Sequence, residues 1–438
     1  MPRFPVAPIL AALVFAVAFA SPPAARAADI VVVANAERAD RHSVSFAALR
    51  TDGSPAAREM LATLRNDLAL SGWFVPVDQP AASVVLSGAI RASSAGVSYG
   101  VEASWNLQAS RRSWNGATGS RPTPTDALRD EAHALADRIV REVLGKEPMA
   151  SSKILCVGRV RGATDIYECD ADGRRLRRIM QEGKLCLSPN WEPGRNAFLY
   201  TAWTAKRPVA YEVDLSSVPY RRRAVSSHPG MNQGATLSPD GRRAAIVLSR
   251  SGGVDLYLID PASPPPGRIL ERLTSSRGAN EASPSWSPDG RRLAYASDEG
   301  SGYPRCRVMD VASRRSTLLV QDRSIRDSAA PEWSADGRIA FCGRQGARYR
   351  IFVADPDANP WSTHPRAVSP QDGTDYEDPS WAPDGRHVVC TRTAGYRRSL
   401  VVLDTAEKNP DPPRVLFSHE GDWFLPSWSA NGIASPVR

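Results

Sequence analysis

A short motif recurs six times in the second half of this sequence, at a nearly constant spacing. Three copies are close to one another: PSWSPDG at 284–290, PEWSADG at 331–337 and PSWAPDG at 379–385. Three looser copies are WEPG at 191–194, LSPDG at 237–241 and WSANG at 428–432. The final glycines of successive copies are 47, 49, 47, 48 and 47 residues apart. Such a period indicates a radial or stacked array of one supersecondary unit.

Each repeat predicts four short antiparallel strands. In the S-P-D-G turn, proline fixes φ, aspartate accepts hydrogen bonds from the turn backbone, and glycine adopts the left-handed conformation. An alternating apolar strand such as Ala245–Leu248 follows, and after a glycine-containing turn comes a third strand ending in aspartate, such as Leu256–Asp260. A shorter apolar run such as Thr317–Val320 supplies the fourth strand. Four antiparallel strands repeated around an axis predict a β-propeller blade.

The two ends of the array complement each other. Residues 153–180 predict the second, third and fourth strands of a blade, while the chain stops just after a sixth first strand at Phe424–Trp428. Joined, these fragments make one blade and close the ring without open edges. We therefore expect a six-bladed propeller over residues 153–438. The tryptophan that ends each first strand favours a wedge between neighbouring blades over a ligand-stacking surface.

Residues 28–148 lack the repeat and predict an α/β domain, so the expected fold class is an α/β N-terminal domain followed by an all-β six-bladed propeller. A helix is predicted to start at Ser54-Pro55 and stop at Gly72, and a second to start at Thr123-Pro124 and end at Gly145. Strands are predicted at 30–33, 73–77, 83–90 and 97–107. Residues 146–152 are expected to form the linker.

The first residues are typical of a secretory signal. Arg3 precedes an apolar run from Ile9 to Ala20, and Ala25-Arg26-Ala27 offers small residues at both recognition positions. Twelve apolar residues span only about 18 Å as a helix, short of the roughly 30 Å hydrocarbon layer. We expect a signal peptide over residues 1–27, cleavage after Ala27, and an exported, soluble protein without membrane insertion.

The charge pattern argues against a nucleic-acid partner. The net charge is +8, and nearly all cations are arginines. Several follow the Asp-Gly turns, as in Arg242-Arg243 and Arg291-Arg292, which favours solvated turn ends over a phosphate-tracking surface.

The six cysteines match no metal-ligand spacing. Cys156 and Cys169 flank a predicted hairpin centred near Gly162. The sequence leaves open whether these two are bonded across it.

Motifs for catalysis are weak. GVSYG at 96–100 matches G-x-S-x-G, but a nucleophile elbow needs a helix after it, whereas residues 101–107 alternate like a strand, so we expect a hairpin turn here. The acidic stretch 372–378 has an alternative as a calcium loop, but its spacing departs from the EF-hand pattern and favours a solvated loop. We predict no catalytic residue, no metal and no cofactor.

The order of these parts resembles the TolB family, the periplasmic component of the Tol-Pal envelope system of Gram-negative bacteria. The resemblance covers the signal, the α/β domain with LRNDL at 64–68 and SGWF at 71–74, and the propeller with its split last blade. It implies a monomeric, non-catalytic scaffold that binds a Pal-type peptidoglycan-associated lipoprotein and supports outer-membrane integrity and envelope constriction at division.

The resemblance also implies where partners bind. Pal-type lipoproteins would dock at one mouth of the channel, on loops that precede the first strand of each blade. The implied residues are Met231, Asn232, Gln233, Gly234, Asn280, Ala282, Asp375 and Tyr376. An inner-membrane TolA-type protein would dock on the N-terminal segment Asp29, Ile30, Val31 and Val32. The alternative function is a periplasmic carbohydrate-binding or carbohydrate-processing propeller.

Overall fold

The structure is a computed structural model that describes residues 41–93, 96–106, 108–118, 125–182, 185–250, 252–275, 278–358, 364–406 and 412–432. The predicted signal peptide, the predicted strand at 30–33 and the start of the second predicted helix lie outside these ranges. In the described part, no helix combines the length and apolarity needed to cross a membrane.

The N-terminal α/β domain has a five-stranded sheet and two helices. Its elements are β1 (His42–Thr51), α1 (Pro55–Leu70), β2 (Phe74–Val77), β3 (Val84–Ser93), β4 (Gly96–Trp105), β5 (Ser110–Ala117) and α2 (Thr125–Leu144). The strand order is β2-β1-β3-β4-β5, with β1 parallel to both neighbours and β3, β4 and β5 antiparallel. The fold class predicted from the sequence is thus confirmed.

Local sequence signals explain where α1 begins. Ser54 is the N-cap, its hydroxyl accepts the N–H of Ala57 at 3.1 Å, and Pro55 occupies the first helical position. The side chains of Met60, Leu64 and Leu68 are fully buried in a core that α1 and α2 share with the sheet. The sequence had not predicted β1 or β5.

The propeller follows from Lys153. The strands are β6 (Lys153–Val160), β7 (Ala163–Asp170), β8 (Arg177–Met180), β9 (Cys186–Trp191), β10 (Ala197–Trp203), β11 (Pro208–Asp214), β12 (Arg221–Ser226), β13 (Asn232–Leu237), β14 (Ala244–Leu248), β15 (Asp255–Asp260), β16 (Arg268–Arg272), β17 (Glu281–Trp286), β18 (Arg292–Ser297), β19 (Arg305–Asp310), β20 (Ser316–Leu318), β21 (Ile325–Trp333), β22 (Ile339–Gln345), β23 (Arg348–Ala354), β24 (Arg366–Ala367), β25 (Asp375–Trp381), β26 (His387–Ala394), β27 (Arg397–Asp404), β28 (Arg414–Val415) and β29 (Asp422–Trp428).

These strands form six four-stranded sheets. Blades 1 to 5 are β9–β12, β13–β16, β17–β20, β21–β24 and β25–β28, and blade 6 has the order β29-β6-β7-β8. The C-terminal strand β29 therefore completes blade 6, whose other three strands begin the propeller, as predicted. In this pairing Trp428 lies opposite Ile154. The domain boundaries 28–148 and 153–438 remain a proposal, although α2 ends at Leu144 and β6 begins at Lys153.

Hydrophobic clusters lie between adjacent blades, and the repeat tryptophans belong to them. Trp286, Trp333, Trp381 and Trp428 each pack against apolar side chains of the preceding blade, which confirms the predicted wedge.

The arginines after the Asp-Gly turns are not all solvated turn ends, and this corrects the prediction. Arg243 lies 5.1 Å from the ring of Trp286, and Arg292 lies 4.8 Å from the ring of Trp333. These cation–π contacts therefore join one blade to the next.

A buried charged cluster joins α2 to blade 6. Asp170, at the end of β7, accepts hydrogen bonds from Lys153 Nζ at 2.7 Å and from Arg175 Nε at 2.7 Å. His133 on α2 lies 3.4 Å from Asp170 through Nε2 and 2.6 Å from Asp67 through Nδ1. Burial lowers the pKa of His133, but the carboxylates of Asp67 and Asp170 outweigh it and raise the pKa to about 10, which favours the protonated ring.

A second contact joins the α/β domain to blade 5. The Arg386 guanidinium lies 4.3 Å from the ring of Trp73 and makes two hydrogen bonds to the Asp404 carboxylate, at 2.8 and 2.6 Å. A Cβ on Gly72 would meet the same guanidinium at 2.7 Å. In blades 2 to 4 the residue that ends this turn is an arginine that contacts a tryptophan of the next blade. In blade 5 that position is His387, and the preceding Arg386 contacts the α/β domain.

Two local details differ from expectation or settle an open alternative. Cys156 pairs with Tyr167 across the β6–β7 hairpin while Cys169 pairs with Ile154, and the six cysteines are free and buried. In this register the two cysteines are not cross-strand partners, so their thiols do not face each other across the hairpin. The G-x-S-x-G match lies within strand β4, not in a turn, and Ser98 pairs with Arg91 and Ala117 in the sheet.

Candidate functional site

The innermost strands of the six blades share a local irregularity that shapes the central channel. Each carries a bulge, and each bulge contains one residue in the left-handed region. These residues are Ser188, Gly234, Ser283, Ala330, Asp378 and Leu425, with φ between 48° and 64°. In five blades the next residue is proline. A proline lacks the N–H that a regular ladder uses, so a bulge accommodates it.

The residue after that proline links neighbouring blades. Ser285 Oγ accepts the backbone N–H of Trp333 at 3.1 Å, and Glu332 Oε2 accepts the N–H of Trp381 at 3.2 Å. Ser380 Oγ accepts the N–H of Trp428 at 2.9 Å. A fourth bond of this kind joins blade 6 to blade 1, from Trp191 N–H to Ser427 Oγ at 3.2 Å. The P-x-W part of the repeat therefore has two roles. Its middle residue joins the innermost strands of neighbouring blades, and its tryptophan packs between the blades.

The channel contains a cavity of about 450 Å³ with an acidic wall. Glu281, Glu332 and Asp378 line it, and no lysine or arginine does so among the described residues. Burial raises the pKa of Glu332 to about 8 and that of Glu281 to about 7, and it also raises the pKa of Asp378. Carboxyl groups with raised pKa values stay partly protonated near pH 7, so the channel wall carries less negative charge than three ionised carboxylates would.

One end of the channel, where the innermost strands begin, is called the mouth here. It is formed by the loop before each innermost strand and by the turn between the second and third strands of each blade. The α/β domain contacts the opposite end, because Arg386 and Arg175 belong to turns on that side. The mouth is therefore not covered by the α/β domain.

Five of the eight residues implied as partner contacts line the channel cavity at the mouth: Met231, Gln233, Gly234, Asn280 and Ala282. Asn280 and Ala282 are exposed. The Asn280 side chain donates to Asp298 Oδ2 at 2.9 Å, and its backbone N–H donates to Asp298 Oδ1 at 2.6 Å. This loop therefore presents its surface in a fixed conformation.

Asn232 lies in the same loop but its side chain is fully buried. Its Nδ2 donates to the carbonyl of His228 at 2.7 Å, and its Oδ1 accepts the Ser226 hydroxyl at 2.6 Å and the His228 N–H at 2.9 Å. A side chain with these partners has no surface left for another protein. We therefore assign Asn232 the role of holding the loop in place. This revises the expectation that its side chain contacts a partner directly.

Asp375 and Tyr376 do not line the channel cavity. Tyr376 is buried, and its hydroxyl donates to Asp372 Oδ2 at 2.8 Å. Asp375 is half-buried and accepts Arg348 Nη1 at 3.0 Å. Both belong to strand β25, so the stretch 372–378 is a solvated loop only up to Thr374. The implied docking segment Asp29, Ile30, Val31 and Val32 lies outside the described residues.

The sequence reasoning missed Glu281 and Glu332 as channel residues and Trp203 as an exposed side chain at the mouth. A signal existed for the two glutamates. Glu332 stands between the proline and the tryptophan of its repeat, and Glu281 begins the innermost strand of its blade. Trp203 ends a strand outside the repeat motif, so periodicity gave no signal for it.

The protein-family model described as TolB beta propeller domain matches residues 142–431, more than half of the chain. The chain belongs to the TolB beta-propeller family. The matched span begins in α2 and ends just beyond β29, so it includes all six blades and the strand that closes the ring.

Individual TolB relatives agree with this assignment. "Protein TolB homolog" of Chlorobium luteolum is 29% identical over 307 residues, 69% of this chain and 66% of its own length. "Tol-Pal system protein TolB" of Alcanivorax borkumensis is 36% identical over 133 residues, 30% of each chain. The chain thus spans less than two thirds of the length of these relatives. TolB from Acinetobacter baumannii shares the fold at a TM-score of 0.73 and 22% identity, covering 89% of this chain and 97% of that one.

Proposed function

We propose that this protein is a non-catalytic scaffold of the Tol-Pal system that works in the periplasm. Its mouth would bind a Pal-type peptidoglycan-associated lipoprotein, and the complex would support outer-membrane integrity and envelope constriction at division. The observation that carries the proposal is a TolB-type propeller whose mouth is left open by the α/β domain, with five implied contact residues around one cavity.

The geometry suits a rigid platform. The loop at Asn232 is held by buried hydrogen bonds, and the loop at Asn280 is held by Asp298. A preorganised surface loses little conformational entropy on binding, so more of the contact energy appears as affinity. A standard protein interface buries about 800 Å² on each partner, an area that the loops of a propeller mouth can supply.

The N-terminal segment at residues 29–32 is proposed as the second docking site, for a TolA-type inner-membrane protein. The predicted signal peptide and its cleavage after Ala27 belong to the same proposal, because both partners would meet the protein only after export.

Binding of the periplasmic domain of a Pal-type lipoprotein tests the proposal directly. Isothermal titration calorimetry with the purified protein should give a saturable 1:1 complex. Ala282→Arg, which adds a long charged side chain at the exposed mouth, should weaken it at least about tenfold, or 1.4 kcal/mol. Ala312→Arg, in a turn at the far end of the same blade, serves as the control. Equal affinity for both variants would contradict the site, and capture of glycan fragments without Pal would favour the carbohydrate-binding alternative.

A further inference from the structure

A second cavity lies beside the channel at the mouth, between blades 1 and 2. It has a volume of about 480 Å³ and is lined by residues 203–208, Gly230, Met231 and Ser249. We call it the rim groove. Met231 lines both this groove and the channel cavity, so the two adjoin at this residue. A partner seated on the mouth therefore reaches the rim groove without leaving the surface already described.

One side of the rim groove is apolar. Trp203 is 40% exposed, and it is the only tryptophan in the described ranges with so open a side chain. Leu185 is also 40% exposed and adjoins it, since its carbonyl accepts the Trp203 N–H at 2.8 Å. Exposed aromatic surface next to other apolar side chains is a common mark of a protein interaction site.

The other side is basic. Lys206 and Arg207 lie in a turn that is fixed by Thr204, whose Oγ1 accepts both of their backbone N–H groups, at 3.3 and 3.1 Å. No aspartate or glutamate lines the groove. Within the described residues, neither Lys206 nor Arg207 forms an ion pair, and the same holds for Arg250 next to Ser249. Other arginines at the mouth are paired, as Arg348 is with Asp375.

A buried histidine under the groove responds to this positive charge. Burial is the main cause that lowers the pKa of His228, and the charges of Arg250 and Arg207 lower it further. The positive potential of these arginines therefore reaches the interior of the loop that leads into blade 2.

We propose that the rim groove receives an acidic segment of the protein that binds the mouth, with a carboxylate on Lys206 and Arg207 and an apolar side chain against Trp203 and Met231. This inference rests on the proposed function and deepens it by naming the chemistry of the contact. The groove has Lys206 and Arg207 in its lining, whereas no lysine or arginine among the described residues lines the channel cavity, so the positive charge lies on one side of the mouth and would fix the orientation of the partner.

A glycan fits the groove less well than an acidic peptide. Sugar recognition needs side-chain hydrogen-bonding groups around the aromatic ring. The two hydroxyls of the groove are already engaged, since Thr204 bonds its own turn and Ser249 Oγ accepts the Met231 N–H at 2.7 Å. The charged groups that remain are the cations of Lys206 and Arg207, which select carboxylates.

The test uses the purified protein, the periplasmic domain of a Pal-type lipoprotein and three variants. Lys206→Glu combined with Arg207→Glu should reduce affinity at least about tenfold, chiefly through slower association at low salt. Trp203→Ala should reduce affinity by about tenfold through faster dissociation. Arg242→Glu, an exposed cation in the turn at the far end of blade 2, is the control and should change affinity less than about twofold. Wild-type affinity in both groove variants would overturn the inference while the proposed function stands.

A second probe separates this inference from the proposed function if the Pal-type domain does not bind. A hexapeptide with two leucines and two aspartates is titrated against the protein, and the indole N–H signal of Trp203 is followed by NMR. The inference holds if the acidic peptide shifts this signal and a version with lysines in place of the aspartates does not. It fails if neither peptide shifts the signal, or if chitooligosaccharides shift it and the acidic peptide does not.

Discussion

Replacing Asp170 with asparagine should loosen the joint between the α/β domain and the propeller. The substitution keeps the shape of the side chain but removes the negative charge on which Lys153, His133 and Arg175 converge. Removing one partner of a buried ion pair usually costs about 3–5 kcal/mol, because the remaining charges stay desolvated. Asp67 and Asp130 still compensate part of the positive charge, so we expect about 3 kcal/mol.

Urea unfolding followed by tryptophan fluorescence measures this loss. With a denaturant slope of about 3 kcal/mol/M, the midpoint should fall by about 1 M. Hydrogen exchange should show where the loss occurs: protection should drop in α2 and around residues 170–175, while blade 4 keeps its protection. Asp357→Asn serves as the control, because it breaks an ion pair with Arg292 in which the carboxylate is exposed.

The pH dependence gives an independent check. The neighbouring cations hold the pKa of Asp170 well below its ordinary value of 3.8 against the opposing effect of burial. A depressed carboxyl pKa stabilises the folded state above pH 3.8, and this stabilisation is lost as the pH falls. The gap between wild type and Asp170→Asn should therefore be full at pH 7 and shrink below pH 4. Identical midpoints at pH 7, or a gap that widens in acid, would refute the reasoning.

Three further predictions concern single side chains. Asn232→Ala should destabilise the protein by about 3 kcal/mol, because it strips a buried loop of its hydrogen bonds; thermal unfolding checks this, and a loss below about 0.5 kcal/mol would contradict the assigned role. Gly72→Ala should lower the melting temperature more than Gly53→Ala does. Both glycines have φ near +75°, but only the new methyl group at position 72 meets Arg386. Equal effects would show that the Arg386 side chain moves aside at no cost. Glu332→Gln should stabilise the protein at pH 9 but not at pH 4, because a carboxyl pKa raised from 4.5 to about 8 costs stability once the pH exceeds the unfolded value; urea midpoints at the two pH values decide it, and no gain at pH 9 would mean that the channel solvates this charge.

The candidate site shows which features a sequence repeat predicts and which it does not. The period and turn chemistry predicted six blades and their innermost strands, and the resemblance to the TolB family pointed to Met231 and Asn280 as residues of one channel mouth. They did not distinguish the exposed Asn280 from the buried Asn232, because both stand at the start of an innermost strand. Which asparagine faces solvent depends on the loops of neighbouring strands, which a local pattern does not record.

The sequence by itself determined the features that arise from short-range physical chemistry. Turn residues at a fixed spacing specified the blades, and two complementary blade fragments specified the closure of the ring. Ser54-Pro55 specified the start of α1. Each of these depends on backbone preferences and side chains within a few residues of one another, so a linear pattern carries them.

Only the tertiary structure decided the contacts between distant parts of the chain. The bond from Trp428 Nε1 to Ser152 Oγ joins residues 276 positions apart, and His133 meets Asp67 across 66 positions. The stacking of Arg386 on Trp73 and the opening of the rim groove at Trp203 are of the same kind. The physical reason is that burial and charge pairing depend on which surfaces the folded chain brings together, and many sequences with the same period allow different pairings.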